Sequence, residues 1–212
     1  MRDRGEIIMD SRIMHLVIAN RIANKLSIED KTAFLLGGIA ADAFSEKDIS
    51  HFYKGEVKDY SRYIDYKSFI KKYYDNKNSH FIQGYYTHLI ADDIWLKGFY
   101  LPWLRNRIEA DPRIMNRYHN DFRLLNGKLL DYYRFTHELR EALDNSSVIS
   151  EIEEVKTSDL KGFVYDVKSD MTYSDEELEQ SLTVFTLEQI IGYIETCIDK
   201  SLICLNSLDN LY

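Results

Sequence analysis

Proline and cysteine are scarce in this chain, with two of each among 212 residues. So little proline leaves long helices uninterrupted, and two cysteines supply no disulfide framework. Cys197 and Cys204 lie seven apart on one face of an expected helix, where both fit as small hydrophobes. Basic residues are in deficit: 27 Lys and Arg against 35 Asp and Glu give a formal net charge of −8. A phosphate backbone is gripped by a concentrated surplus of cations, so no extended nucleic-acid surface is expected. Long apolar runs are also missing. The longest uncharged stretch, Thr32 to Ala41, is about half of what a bilayer crossing demands, and no transmembrane segment is expected. Near the N-terminus, Ile7-Ile8-Met9 falls far short of a secretory signal, which makes the cytoplasm the expected location. Met9 could equally be the natural start, because the helical pattern begins only after it.

What is present reads as a single all-α domain over residues 1–212, a bundle of six to eight helices, with residues 1–10 as an extension that need not be ordered. Apolar residues make up 45% and charged residues 29%, ordinary for a globular domain, whereas 16 tyrosines are many. Ile13, Met14, Val17, Ile18, Ile22, Ala23 and Leu26 recur at helical spacing, with His15 beside the stripe. Ser27 is expected to cap a second helix that Gly37-Gly38 breaks or tightens just before Asp42. Phe44 to Tyr63 has no sustained period and reads as a loop carrying His51. Asp65 caps a short helix, Ser79 to Leu101 forms a long one, and Asp111-Pro112 starts a pattern that reaches Leu143, interrupted only at Gly127. Asn145 to Met171 is loop and short helix. Ser174 to Glu177 and Thr186 to Gln189 are capping boxes opening two more helices, the last ending near Leu205.

The chemistry concentrates in residues 11–100. His88 and Asp92 stand four apart on the long helix, about 40° apart around its axis, with Cβ atoms roughly 6 Å apart. Both can reach one metal ion, and among apolar neighbours the carboxylate needs compensation. An exposed or directly hydrogen-bonded i,i+4 pair is the competing reading. Taken singly, His15 reads equally as a satisfied core histidine, His51 as a loop residue and Asp42 as a turn acid. His80, roughly 80° from His88 around the helix, borders the site rather than joining it.

Their order changes this. His15-Leu16-Val17-Ile18-Ala19, Phe34-Leu35-Leu36-Gly37-Gly38-Ile39-Ala40-Ala41-Asp42, Ser50-His51-Phe52 and Gly84-Tyr85-Tyr86-Thr87-His88-Leu89-Ile90-Ala91-Asp92 together resemble the bacterial zinc-dependent phospholipase C family, which is all-helical and related to the fungal single-strand-specific nucleases. The resemblance spans residues 11 to about 98. It implies that His51, His88 and Asp92 bind one metal, that Asp42 bridges or assists it as the catalytic acid-base group, and that His15 serves a neighbouring metal, with one to three zinc ions in all. Secreted members use their free amino end as a ligand, whereas fourteen residues precede His15 here, and Ala41 stands where the family usually has proline. Those members also carry a further His and a His-x-x-x-Glu pair. His119 and His137 with Glu141 have that chemistry but lie farther along, and with Asp121 they form a second tier of possible ligands.

The function expected is hydrolysis of a phosphodiester by a zinc-dependent phosphoric ester hydrolase, acting on a small-molecule or lipid substrate such as a phospholipid headgroup or a nucleotide. Tyr53, Tyr85, Tyr86 and Trp95 could wall the pocket or belong to the core. The alternative is a non-catalytic helical metal-binding or interaction protein. A histidine-aspartate phosphohydrolase is excluded by the absence of an adjacent His-Asp pair, and a di-iron bundle by the absence of Glu-x-x-His.

Overall fold

Ser11 Oγ accepts from the backbone N–H groups of Ile13 and Met14, two of the donors a helix start leaves open, and α1 runs Arg12–Leu26 behind it. In this computed structural model, which describes residues 11–147 and 149–208, α1 ends where Ser27 turns left-handed at φ 51°. Ser27 is therefore not the cap of the second helix. Its own N–H and that of Ile28 bond back to Asn24 and Ala23, so Asp30 takes the role and caps α2, Lys31–Ala40, through the N–H of Ala33. The expected extension over residues 1–10, and Met9 with it, lies outside the described residues.

Gly37 and Gly38 do not break α2; they are where it meets a later helix. A Cβ on Gly37 would lie 2.0 Å from the carbonyl oxygen of Phe81, and one on Gly84 2.0 Å from that of Phe34. The two backbones touch, and only glycine allows it. A 3-10 turn over Ala41–Ala43 follows and carries Asp42.

The stretch expected as loop holds more structure than its pattern suggests. It contains α3, Lys47–Ser50, and a small antiparallel hairpin of β1, Tyr53–Lys54, and β2, Tyr63–Ile64, with Tyr53 opposite Ile64. Asp65 caps α4, Tyr66–Lys72, as expected. The long helix α5, His80–Trp95, continues as a π-helical segment over Leu96–Leu104 that accommodates Pro102, then as α6, Arg105–Ala110. Asp111 Oδ1 accepts from the N–H of Arg113 at the start of α7, Arg113–Tyr133. The break before α8, Thr136–Asp144, falls at Arg134, left-handed at φ 59°, and not at Gly127. Gly127 stays helical because Tyr173 lies against it, 2.7 Å from where a Cβ would be. Then come α9, Thr157–Ser169; α10, Asp175–Glu179; and α11, Leu187–Asn206, the last two opened by the expected capping boxes.

The chain is all-α apart from the hairpin. α5 is its hub, packed against α1, α2, α4 and α11, and it is buried almost all round, as a central helix must be. One hydrophobic cluster reaches from Ile13 to Leu208. Trp95 sits at its far end among Phe99, Phe122, Phe185 and Tyr193, stacked on Phe99 at 4.5 Å. Among the described residues no helix is long and apolar enough to cross a membrane.

Candidate metal centre

The close crossing of α2 and α5 brings four chain segments to one point. α1 presents His15, the turn after α2 presents Asp42, His51 caps the C-terminal end of α3, and α5 presents His88 and Asp92. Three imidazoles then surround one carboxylate. Nε2 of His15 lies 3.2 Å from Asp92 Oδ1, while Nε2 of His51 and of His88 lie 3.1 and 3.2 Å from Asp92 Oδ2. His51 Nε2 is also 3.5 Å from Asp42 Oδ1 and 3.3 Å from His88 Nε2. The His15 and His88 rings stack at 3.7 Å. Donor atoms of His15, His88 and Asp92 lie within 4.8 Å of one another, and so do those of Asp42, His51 and His88.

Backbone and hydroxyl groups behind the ligand atoms orient them. His88 Nδ1 is 2.9 Å from the carbonyl oxygen of Gly38. A carbonyl only accepts, so Nδ1 carries the proton, and the Nε2 of a neutral His88 is a lone pair facing Asp92 and His51. Ser50 Oγ lies 3.0 Å from His51 Nδ1, and Tyr85, fully buried, donates to the carbonyl of Ser50 at 2.7 Å, tying α3 to α5. Phe52, between His51 and Tyr53, is left-handed at φ 53°, a conformation costing about 1–2 kcal/mol for a residue with a Cβ. Its carbonyl accepts from Asp65 N–H and its ring packs on Phe69. The result is that Tyr53 lies parallel to His51, ring centres 5.7 Å apart.

Burial and charge act against each other here. Burial disfavours an ionised Asp92, yet His88, His15 and His51 hold its pKa well below the usual carboxylate range. Asp42 is held low in the same way, against burial, by Lys47 foremost and then by His51 and His88. Burial works against a charged His51, but the carboxylates of Asp42 and Asp92 outweigh it and raise its pKa. For His88, burial and the neighbouring His15 win, so its pKa falls and it is neutral.

His15, His51, His88 and Asp92 are 1–3% exposed, whereas the Asp42 side chain keeps 20%. The site therefore opens on the Asp42 side, where Lys47 Nζ meets Asp42 Oδ1 at 2.7 Å. Lys47, Ser50 and the carbonyl of Gly38 carry no ligand signal in a sequence, and only the last had a trace, in the glycine pair. Of the four aromatics considered as walls, Tyr85, Tyr86 and Trp95 are core and Tyr53 lines the site. His80 does not border it: Nδ1 accepts from the N–H of Asp30, at the opposite end of α2 from Asp42.

The second-tier residues are not brought to this cluster. Asp121 is buried and accepts from the backbone N–H groups of Thr183, Val184 and Phe185, which pins the segment leading into α11. His119 lies edge-on to Tyr118 on α7. His137 and Glu141 form a surface pair 3.7 Å apart, 94% and 71% exposed.

No known relative emerges from comparison. No family model, curated protein or solved structure matches the chain.

Proposed function

We propose that this protein is a zinc-dependent hydrolase of phosphoric esters, with His15, Asp42, His51, His88 and Asp92 as its metal site. One observation carries the reading. With His88 Nδ1 committed to Gly38, a neutral Nε2 lone pair stands 3.2 Å from an ionised, buried carboxylate oxygen and 3.3 Å from a second imidazole nitrogen. A protonated His51 fills this gap with its Nε2–H; once His51 is neutral, electron pairs converging this closely away from water favour a cation between them. Imidazole nitrogen with carboxylate oxygen suits zinc. The two donor triads share His88; with its Nδ1 given to Gly38 one lone pair remains to serve one ion, so we take the five residues as a single centre.

Zinc bound there supplies an acidified water and neutralises charge on a phosphoryl oxygen. The chain's own groups do the remainder. Asp42 lies on the open side, where Lys47 meets its Oδ1, and would accept a hydrogen bond from the attacking water to orient it. Asp92 balances charge from within, and Ser50 and Gly38 hold the imidazoles in orientation. The resemblance to zinc-dependent phospholipases C adds phosphodiesters, lipid or nucleotide, as the substrate class.

The near-complete burial of His15, His88 and Asp92 favours a second reading, a closed structural metal site without turnover. The two separate in a screen of the zinc-loaded and chelator-treated protein against a phosphodiester, a phosphomonoester and a carboxyl ester. Phosphodiester turnover that chelation abolishes and zinc restores supports the hydrolase. Stoichiometric zinc with no turnover of any ester supports the structural site.

A further inference from the structure

We infer that Arg62 and Lys47 form the anion-recognition edge of this site, holding the phosphoryl oxygens of a substrate at its open side. The inference rests on the hydrolase reading above and adds to it the groups that select a negatively charged ester. Lys47 belongs to that side, and Arg62 is tied to it through Asp48, the residue after Lys47. Lys47 reaches Asp42, the most exposed of the five site residues, through two contacts, 2.7 Å to Oδ1 and 3.0 Å to the carbonyl oxygen. An ammonium has three N–H groups, so one remains for a ligand. Arg62, just before β2, lays its guanidinium 4.1 Å from the centre of the Tyr53 ring, which in turn stacks on His51. Arginine, tyrosine and histidine thus form one layered column from the hairpin down to the cluster.

Arg62 is incompletely used by the fold. One terminal nitrogen meets Asp48, whose 75% exposed carboxylate is largely satisfied by water. Its Nε is covered by the protein and has no acceptor, so the edge open to a ligand is that of the terminal nitrogens, in a side chain 17% exposed. A buried donor without a partner is costly, and native structures rarely keep one without a reason. A planar guanidinium with an uncommitted edge is the group best matched to phosphate oxygens.

The test uses inorganic phosphate as the probe and zinc-loaded protein throughout, with zinc content measured beside phosphate affinity by titration calorimetry. Arg62→Gln is expected to retain zinc at the wild-type level and to lose about tenfold or more in phosphate affinity, with Arg62→Lys recovering part of it. Where a phosphodiester is turned over, the same variants raise KM more than they lower kcat. Phosphate affinity within twofold of wild type in Arg62→Gln, or zinc-loaded wild type that binds no phosphate, overturns the inference and leaves the metal site standing. Should Arg62→Gln fail to fold, Arg62→Lys decides alone, and undiminished affinity in it is contrary. Wild-type protein that takes up no zinc overturns the hydrolase reading itself, and this inference with it.

Discussion

In the proposed metal site, His51 is the residue at which protons and metal compete. Its pKa lies above the ordinary histidine value in the folded, metal-free protein because Asp42 and Asp92 outweigh its burial. A raised folded pKa means that protonated His51 stabilises the fold at pH values below about 6.5, and that this contribution is lost as pH rises through the folded value. Zinc requires the neutral ring, whereas His88 is neutral already. Zinc uptake near pH 6.5 is therefore expected to release protons, and fewer as pH rises; titration in buffers of different ionisation enthalpy counts them. No proton release at pH 6.5 contradicts the assignment of His51. Asp121 makes the opposite case, a buried carboxylate whose partners are three backbone N–H groups and the Thr183 hydroxyl. Asp121→Ala should cost about 3 kcal/mol, since charge-assisted bonds are worth roughly 1.5–3 kcal/mol, while leaving zinc content unchanged. A loss of zinc in a folded Asp121→Ala protein would return that residue to the metal site.

Among elements, the α2–α5 crossing does most to make a site from separated segments. Gly84→Ala places a Cβ 2.0 Å from the Phe34 carbonyl oxygen, so the helices must separate. Destabilisation of about 3 kcal/mol is expected, together with weaker zinc binding, because Gly38 and His88 sit on the two helices that part. Thermal melts with and without zinc measure both effects; wild-type stability in the variant would mean that the helices do not touch as described. Helix starts were legible where side-chain chemistry dictates them. Ser174 and Thr186 each announce a capping box three residues ahead of its acid or amide, and both boxes form. Helix ends were less so. The apolar stripe stops at Leu26 and α1 ends there, at Ser27, as expected, but Arg134 stops α7 by turning left-handed, a choice set by packing that its residue type does not signal. The glycines misled for a related reason: Gly37 and Gly127 serve close contacts inside helices, and a contact partner far along the chain leaves no local mark.

Over the whole molecule, the site was legible to the extent that the identities of its members follow from spacing and resemblance. Their convergence was not. Asp92 and Asp93 are neighbours of one type, yet Asp92 faces three imidazoles while Asp93 accepts from the N–H of Ile64 and pairs with Lys97. Only the rotation of α5 about its axis decides between them. Nor does any local pattern show that His137 and Glu141, with ligand chemistry and spacing of their own, stand on the outside of α8. The pH dependence of the metal-free fold belongs to this scale too. Asp42 and Asp92 both have depressed folded pKa values, so the stability they contribute is present above about 3.8 and lost as pH falls through the folded values. Acid unfolding of the chelated protein is expected to begin nearer neutrality in Asp92→Asn than in wild type, and circular dichroism during acid titration follows it.

Five side chains from four segments are proposed to form one cation site. Elemental analysis of protein purified without added chelator and dialysed against zinc measures it directly, with a His88→Ala and Asp92→Ala double variant run beside it. About one zinc per chain in wild type and under a tenth of that in a folded double variant is the result expected from a single centre. Full retention of metal by the double variant, or a wild-type protein that holds none, would contradict it.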